Sequence, residues 1–118
     1  MSREIKFRCW NAFSNHMHDW DEMVEKNKIH LLKNENGSYV CEQFTGLKDK
    51  NGVEIYEGDL VSLNNLNVIE SSDIYFCVKW CNENHQWIIY HNDVEFYNLA
   101  DFDFWVIGNI HQNPELLK

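Results

Sequence analysis

The segment GLKDKNGVEIYEGDLV, residues 46–61, decides how this chain folds. Its dipeptide Asn51–Gly52 supplies the positive φ angles that a tight turn needs. Gly58–Asp59 marks a second bend, after which apolar residues alternate as they do in a strand. The segment therefore predicts a turn, a bend and a strand, with the Ile55 side chain buried and the Asp59 carboxylate bonded to backbone amides at the bend.

Alternating apolar and polar residues predict strands on both sides of this segment. Residues 4–10 alternate strictly, which places Ile5, Phe7 and Cys9 on one buried face. The turn signals in residues 34–37 and 81–85 each separate two such stretches and predict two hairpins. The predicted strands are residues 4–10, 29–33, 38–44, 60–63, 74–80, 86–91 and 100–107.

Helical signals in the sequence are short. Asp19, with Glu22 three residues later, resembles a capping box and predicts a helix through about Lys26. Asn113 followed by Pro114 predicts one more helical turn near the C-terminal end. No stretch of 12 or more residues keeps a helical period, and residues 64–73 are polar and predict a loop.

These patterns together predict a mainly β fold in two parts. A β-rich N-terminal subdomain, residues 1–45, packs on an SH3-like small β-barrel, residues 46–118, with separate cores or one shared core. Many SH3-like barrels begin their first long strand with a Gly-Asp pair like Gly58–Asp59. Residues 46–61 are then a hinge-like junction between the parts. A length of 118 residues with 44% hydrophobic residues suits one globular domain and excludes a disordered polymer.

The sequence predicts a cytoplasmic protein that does not cross a membrane. Its longest apolar runs, such as Trp87–Tyr90, are only a few residues, and Met1–Arg3 leads into an alternating stretch instead of a signal-peptide core. In a reducing compartment the four cysteines are expected to be thiols. They are Cys9, Cys41, Cys77 and Cys81.

The charge is unevenly distributed along the chain. Ten basic and nineteen acidic residues give a net charge of −9. Residues 1–50 hold eight of each sign, whereas residues 51–118 hold two basic and eleven acidic residues. Such an acidic surface repels phosphate backbones, so nucleic-acid binding by the second half is disfavoured. Three interpretations remain: the acidic residues contact a basic protein partner, occupy a nucleic-acid site on another protein by mimicry, or only keep the domain soluble.

One cysteine and histidine pattern has residue types that bind zinc. Cys77, Cys81, His85 and His91 follow the spacing C-x3-C-x3-H-x5-H. Structural zinc sites usually take paired ligands, two to four residues apart, from a short turn called a knuckle. Cys77 instead lies within the apolar run Ile74–Trp80, where a packed thiol is expected. The pattern therefore favours packing over metal binding.

Three weaker metal candidates are also better explained without a metal. His16 and His18 have no third ligand nearby in sequence, so an exposed turn is favoured. Asp101 and Asp103 alternate with phenylalanines, as on the solvated face of a strand. Asp49–Gly52 resembles the opening of a calcium loop, but the closing glutamate is missing and a turn is favoured. We predict neither a metal nor a cofactor.

Catalytic motifs are also absent from the sequence. It contains no glycine-rich phosphate loop, no G-x-S-x-G and no H-E-x-x-H, so a non-enzymatic protein is predicted. One catalytic alternative stays open, a nucleophilic pair that the fold forms from Cys9 or Cys41 and a histidine. Five Trp, five Tyr and seven Phe are more than a core of this size easily hides. They either line a groove or subunit contact, or lie half-buried with their polar atoms in water.

Three segments resemble the YopX family of bacteriophage and prophage proteins. They are residues 3–10, residues 43–61, and residues 106–117, which read VIGNIHQNPELL and are similar to the family ending VIGNIYENPELL. The resemblance implies a prophage-encoded cytosolic protein and no established activity or catalytic residue. It marks as structural motif positions Gly46, Asp49, Asn51, Gly52, Ile55, Tyr56, Gly58, Asp59, Gly108, Asn109, Asn113 and Pro114.

The leading hypothesis is a non-enzymatic interaction module that binds a protein partner or assembles into a homo-oligomer. The charge distribution and the aromatic content favour it. The alternative is a nucleic-acid-associated phage protein that uses Arg3, Lys6 and Arg8 beside Trp10. A third hypothesis, a metal-dependent enzyme, requires a bound metal.

Overall fold

The computed structural model describes residues 4–33, 37–62, 75–92, 94–101 and 103–117. It divides into two compact units, Met1–Phe44 and Thr45–Lys118. Whether these units fold as separate domains stays a prediction. The described residues form nine strands, β1 Phe7–Asn11, β2 His16–His18, β3 Tyr39–Lys48, β4 Glu54–Tyr56, β5 Asp59–Ser62, β6 Phe76–Cys81, β7 Gln86–His91, β8 Val94–Asn98 and β9 Trp105–Asn109.

The first unit contains β1, β2, the first part of β3 and one short α-helix. The four-stranded sheet has the order β2–β1–β3–β4, and β1 pairs antiparallel with both of its neighbours. Helix α1 spans Trp20–Glu25, and the Asp19 side chain accepts a hydrogen bond of 2.8 Å from the Glu22 amide. The predicted helix and its N-cap are confirmed. Met23 anchors the helix because its side chain is fully buried.

Two predictions for the first unit are wrong. Ile29–Lys33 is a 3-10 helix instead of a strand, because Leu31 and Leu32 do not alternate with polar residues and the Leu31 amide bonds the Lys28 carbonyl at 3.0 Å. Ile5 is 60% exposed and precedes β1, so it does not share a buried face with Cys9.

Both faces of β1 contain buried side chains, and the face opposite Cys9 carries a charge. Arg8 is only 9% exposed, because its Nε donates to the Glu42 carboxylate on β3 at 3.0 Å. A buried guanidinium requires such a partner. Strict polar and apolar alternation in residues 4–10 therefore did not predict which side chains of β1 are buried.

The second unit is built on a five-stranded antiparallel sheet with the order β8–β7–β6–β5–β9. The mainly β prediction is confirmed, and this sheet is consistent with an SH3-like small barrel. The predicted hairpin is β6–β7, with Val78 opposite Ile89 and Trp80 opposite Trp87. The hydrophobic core of the second unit consists of buried apolar side chains from the sheet and from the segments that connect its strands. They are Ile55, Val61, Phe76, Val78, Ile89, Leu99 and Phe104.

The predicted strand at residues 100–107 is shorter than expected. Leu99–Asp101 is a 3-10 helix and β9 begins only at Trp105. The chain turns here because Leu99 and Phe104 are both buried, and because Asn98 Nδ2 donates to Asp101 Oδ2 at 3.2 Å. Strand β8 was not predicted. The predicted loop at residues 64–73 lies outside the described residues.

The Asn51–Gly52 turn generates the first testable prediction. Gly52 has φ +84°, and a Cβ built there meets no atom within 4 Å, so a substitution is strained only through its backbone. Gly52→Val is expected to lower the free energy of unfolding by about 1–3 kcal/mol. Gly52→Asn is the matched control and should cost clearly less, since asparagine tolerates this region. Urea denaturation measures both, and an unchanged midpoint for the valine variant would contradict the strain argument.

Candidate functional site

Asp49 is a motif position whose carboxylate connects its own turn to β9 through backbone amides. Its Oδ1 accepts hydrogen bonds from the amides of Asn51 and Val53, both at 2.8 Å, and its Oδ2 accepts from the Val106 amide on β9 at 3.0 Å. The side chain is 9% exposed. Backbone amides therefore use the oxygens that a calcium ion would need, and the segment is the turn that the sequence favoured.

The bend at Gly58–Asp59 matches its prediction. Asp59 Oδ2 accepts from the Tyr56 amide at 2.7 Å, and Ile55 and Asp59 are both 2% exposed. Gly58 has φ +85°, and its amide bonds the Val78 carbonyl at 2.9 Å. The bend therefore joins β5 to the neighbouring strand through the backbone.

The C-terminal motif forms a capped turn. Asn109 Oδ1 accepts from the amides of His111 at 3.0 Å and Gln112 at 2.9 Å, and the Asn109 amide donates to Asn113 Oδ1 at 3.2 Å. A Cβ at Gly108 would lie 2.6 Å from Asn113 Cγ, so only glycine admits this contact. Pro114 opens the last 3-10 helix, as predicted.

Most of the twelve motif positions lie in or next to turns and bends, while Gly46, Ile55 and Tyr56 lie in strands β3 and β4. Gly46 has φ +87° within β3, and Tyr56 is 8% exposed. What these positions contribute to function stays a prediction.

The zinc candidate in the second unit does not assemble. Cys77 and Cys81 are buried on β6, four residues apart, which places their backbones about 13 Å apart. His85 lies in the following turn with φ +52°, and His91 Nδ1 lies 3.1 Å from the Tyr75 carbonyl. Packed thiols explain these cysteines.

Asp101 and Asp103, which the sequence assigned to the solvated face of a strand, are bonded to other residues. Asp101 lies on a 3-10 helix and accepts from Asn98, and Asp103 accepts from Lys50 Nζ at 3.0 Å. These two carboxylates do not share one face of a strand, because β9 begins only at Trp105.

His16 and His18 differ from their prediction. They lie on strand β2, not in an exposed turn, and His18 is only 8% exposed because it is paired opposite Cys9. Glu22 on α1 is the partner that sequence reasoning missed. His16 Nε2 lies 3.0 Å from Glu22 Oε1, and His18 Nδ1 bonds Oε2. Hydrogen bonds from these two imidazoles lower the pKa of Glu22 to about 2.

The Cys9 and Cys41 thiols also meet in the first unit. They are directly opposite on β1 and β3, with 2.8 Å between the two Sγ atoms, and both cysteines are free. Burial raises the pKa of the Cys9 thiol well above its ordinary value, and the Cys41 thiol beside it raises it further. A thiol that stays protonated is a poor nucleophile.

The basic strand face of the alternative hypothesis is largely engaged. Arg8 is bonded to Glu42 as described, and Lys6 Nζ lies 3.2 Å from a Glu4 oxygen and 5.0 Å from the centroid of the Phe44 ring. Arg3 lies outside the described residues. The structure therefore offers no observation that favours phosphate binding by this face.

Strand β8 presents an exposed edge in the second unit. It is the last strand of the five-stranded sheet, and residues 94–97 are exposed. Val94 is 57%, Phe96 44% and Tyr97 40% exposed. Glu95 and Tyr97 pair with successive residues of β7, so Phe96 is a bulged residue without an opposite partner on that strand. This edge combines an end strand of the sheet with exposed apolar side chains.

A cavity of about 220 Å³ lies beside this edge. Its lining includes the carboxylates of Glu95 and Asp101, the amides of Asn84 and Asn98, and the Phe96 ring. Two carboxylates, amide oxygens and an aromatic ring are groups that bind a cationic side chain. We call strand β8 with this cavity the β8 surface.

The electrostatic environment of the β8 surface is negative. Burial raises the pKa of the Tyr90 phenol on the neighbouring strand, and a hydrogen bond with Cys81 raises it further. The negative charges of Glu95 and Glu83 act in the same direction. A cation approaching β8 therefore enters a favourable potential.

The fold and these contacts define a small, mainly β protein whose sequence motifs hold its turns. The chain belongs to the YopX family, whose model, described as YopX protein, matches residues 6–118. The crystal structure of protein EF1440 from Enterococcus faecalis is similar, with a TM-score of 0.68 and 25% sequence identity over 99% of this chain and 100% of that one. No curated protein matches the chain significantly. Within the described residues, no helix has the length and apolar character that crossing a membrane requires.

The buried Cys9 thiol generates the second testable prediction. At pH 8 a solvent-exposed cysteine is partly thiolate, whereas Cys9 stays protonated because its pKa is raised. Iodoacetamide should therefore label Cys9 at least about 100-fold more slowly in the native protein than in guanidinium. Peptide mass spectrometry measures the rate, with the same peptide in the denatured chain as the control. Equal native and denatured rates would contradict the burial and the raised pKa.

Proposed function

We propose that this protein is a non-enzymatic interaction module that binds an extended, basic segment of a partner protein at the β8 surface. The observation that supports this proposal most directly is an exposed edge strand beside a cavity that is lined by two acidic residues. We further propose that it acts in the cytoplasm of a phage host, which the YopX membership supports.

The exposed edge supports strand addition by the partner. A strand at the end of a sheet has one row of backbone groups directed away from its neighbour, and an extended peptide can add to it. Val94, Phe96 and Tyr97 offer apolar contact area along the same strand. Aromatic side chains of this kind are enriched at protein interfaces.

The charge of the second unit supports a basic partner over a second copy of this chain. Residues 51–118 hold nine more acidic than basic residues, so two copies repel each other. An arginine or lysine side chain placed in the cavity would lie beside Glu95, Asp101 and the Phe96 ring. Charge complementarity therefore favours a different protein, and assembly of this chain with itself becomes an outcome of the test.

The absence of catalytic sequence motifs also supports a non-enzymatic role. The sequence contains no phosphate loop and no hydrolase elbow. Where the structure brings cysteines together, at Cys9 and Cys41, the Cys9 thiol is buried and its pKa is raised. These features suit packing better than covalent catalysis.

The third testable prediction uses two peptides of alternating sequence, one of arginine and valine and one of glutamate and valine. Calorimetry should detect binding of the arginine peptide only, and affinity should fall about tenfold or more as salt rises from 0.05 to about 0.5 M. Val94→Lys should abolish binding, because it places a like charge on the edge strand. Val53→Lys is the matched control, since Val53 is 49% exposed in a turn of the same unit.

Each alternative outcome has a distinct signature. Equal binding of both peptides would overturn the proposed charge recognition. Light scattering that shows a dimer, strengthened by salt and dissociated by Val94→Lys, would replace the basic partner with a second copy of this chain. A monomer that binds neither peptide would overturn the β8 surface as an interaction site.

A further inference from the structure

We propose that His16, His18 and Glu22 form a binding site for one divalent transition-metal ion, of which zinc is the expected occupant. This inference is independent of the β8 surface because all three residues belong to the first unit. One ligand atom from each residue lies within 4.8 Å of the other two. Within the described ranges, this is the one group of three or more histidine, cysteine or acidic side chains that meets this spacing.

The local structure explains why the three side chains converge. His16 and His18 are two residues apart on β2, so both imidazoles project from the same face of that strand. Asp19 caps α1 directly after β2, and its bond to the Glu22 amide fixes the first helical turn. The Glu22 carboxylate is thereby placed opposite both imidazole rings, whose centroids lie 4.5 Å apart.

The spacing of the donor atoms fits a metal ion. His16 Nε2 and Glu22 Oε1 are 3.0 Å apart, and His18 Nδ1 contacts the other carboxylate oxygen. Zinc ligands lie about 2.0–2.2 Å from the ion, so donor atoms in a tetrahedral site are roughly 3.3–3.5 Å from one another. Small side-chain movements would therefore admit the ion among the three groups.

The ligand types select the class of metal. Two imidazoles and one carboxylate suit zinc and its first-row neighbours, whereas calcium and magnesium prefer sites made entirely of oxygen. Three protein ligands leave one tetrahedral position for water or another donor. The ion would also connect β2 to α1, so its binding would stabilise the first unit.

The burial of His18 distinguishes this site from side chains that meet by chance on the protein surface. His18 is 8% exposed and its ring lies 5.9 Å from that of Tyr39 on β3, whereas the His16 side chain is 52% exposed. One ligand is therefore held by packing, and the other lies at the solvent side where an ion can enter. A partly ordered site loses less side-chain entropy when the metal binds.

The test uses the full chain without a histidine tag, stripped with a chelator. Calorimetry with zinc chloride should show one equivalent bound with a dissociation constant of about 10 μM or lower, and cobalt should give the visible absorption of a tetrahedral site. Thermal unfolding should shift upward with zinc by several degrees, and a 100-fold excess of magnesium should not compete. His16→Ala and Glu22→Gln should each weaken zinc binding at least tenfold.

Two controls keep the proposal falsifiable. His30→Ala removes another histidine of the first unit and should leave zinc affinity unchanged, and circular dichroism establishes that the His16 and Glu22 variants are folded. Zinc binding below about 0.1 equivalents would overturn the site. Binding that survives His16→Ala but disappears when the cysteines are alkylated would also overturn it and assign the zinc to thiols.

Discussion

The second unit depends on one buried carboxylate, that of Asp49. It accepts two amides within its own turn and the Val106 amide of β9, 57 residues away in sequence. A charged acceptor in a site with little water makes stronger hydrogen bonds than a neutral one, and the amides it satisfies would otherwise be buried without partners. The Asp49 side chain therefore connects the turn after β3 to the last strand of the sheet, beside the backbone bond from the Lys50 amide to the Phe104 carbonyl.

Four acidic residues of the second unit form two structural groups. Asp49 and Asp59 are buried and accept hydrogen bonds from backbone amides, which gives their place in the family motif a structural explanation. Glu95 and Asp101 line the cavity beside the β8 edge. Net charge counts both groups alike, yet only the second group can act on a partner. The acidic character seen in the sequence is therefore partly internal structure and partly a surface potential.

Local sequence rules predicted the elements whose stability is local. The Asp19 cap, the Gly52 turn, the β6–β7 hairpin and the Pro114 turn all follow from residues within a few positions of each other. Some of the failures are local, at the 3-10 helices Ile29–Lys33 and Leu99–Asp101, and others concern strand pairing and long-range contacts. Strand β8 was missed because its alternation, Val94–Glu95–Phe96, ends after three residues at the bulge. The alternation of β1 did not indicate that Arg8 is buried, because its partner Glu42 lies 34 residues away.

Glu22 shows why the metal ligands escaped sequence reasoning. Its position three residues after Asp19 assigned it to a capping box, in which its carboxylate would bond back to the cap. In the structure the backbone amide of Glu22 serves the cap, while its carboxylate bonds His16 and His18. One residue therefore supports the helix through its main chain and the proposed site through its side chain. A local motif predicts the first role. The second follows from the fold of residues 16–22, in which strand β2 places both histidines on one face and leads directly into the helix that carries Glu22.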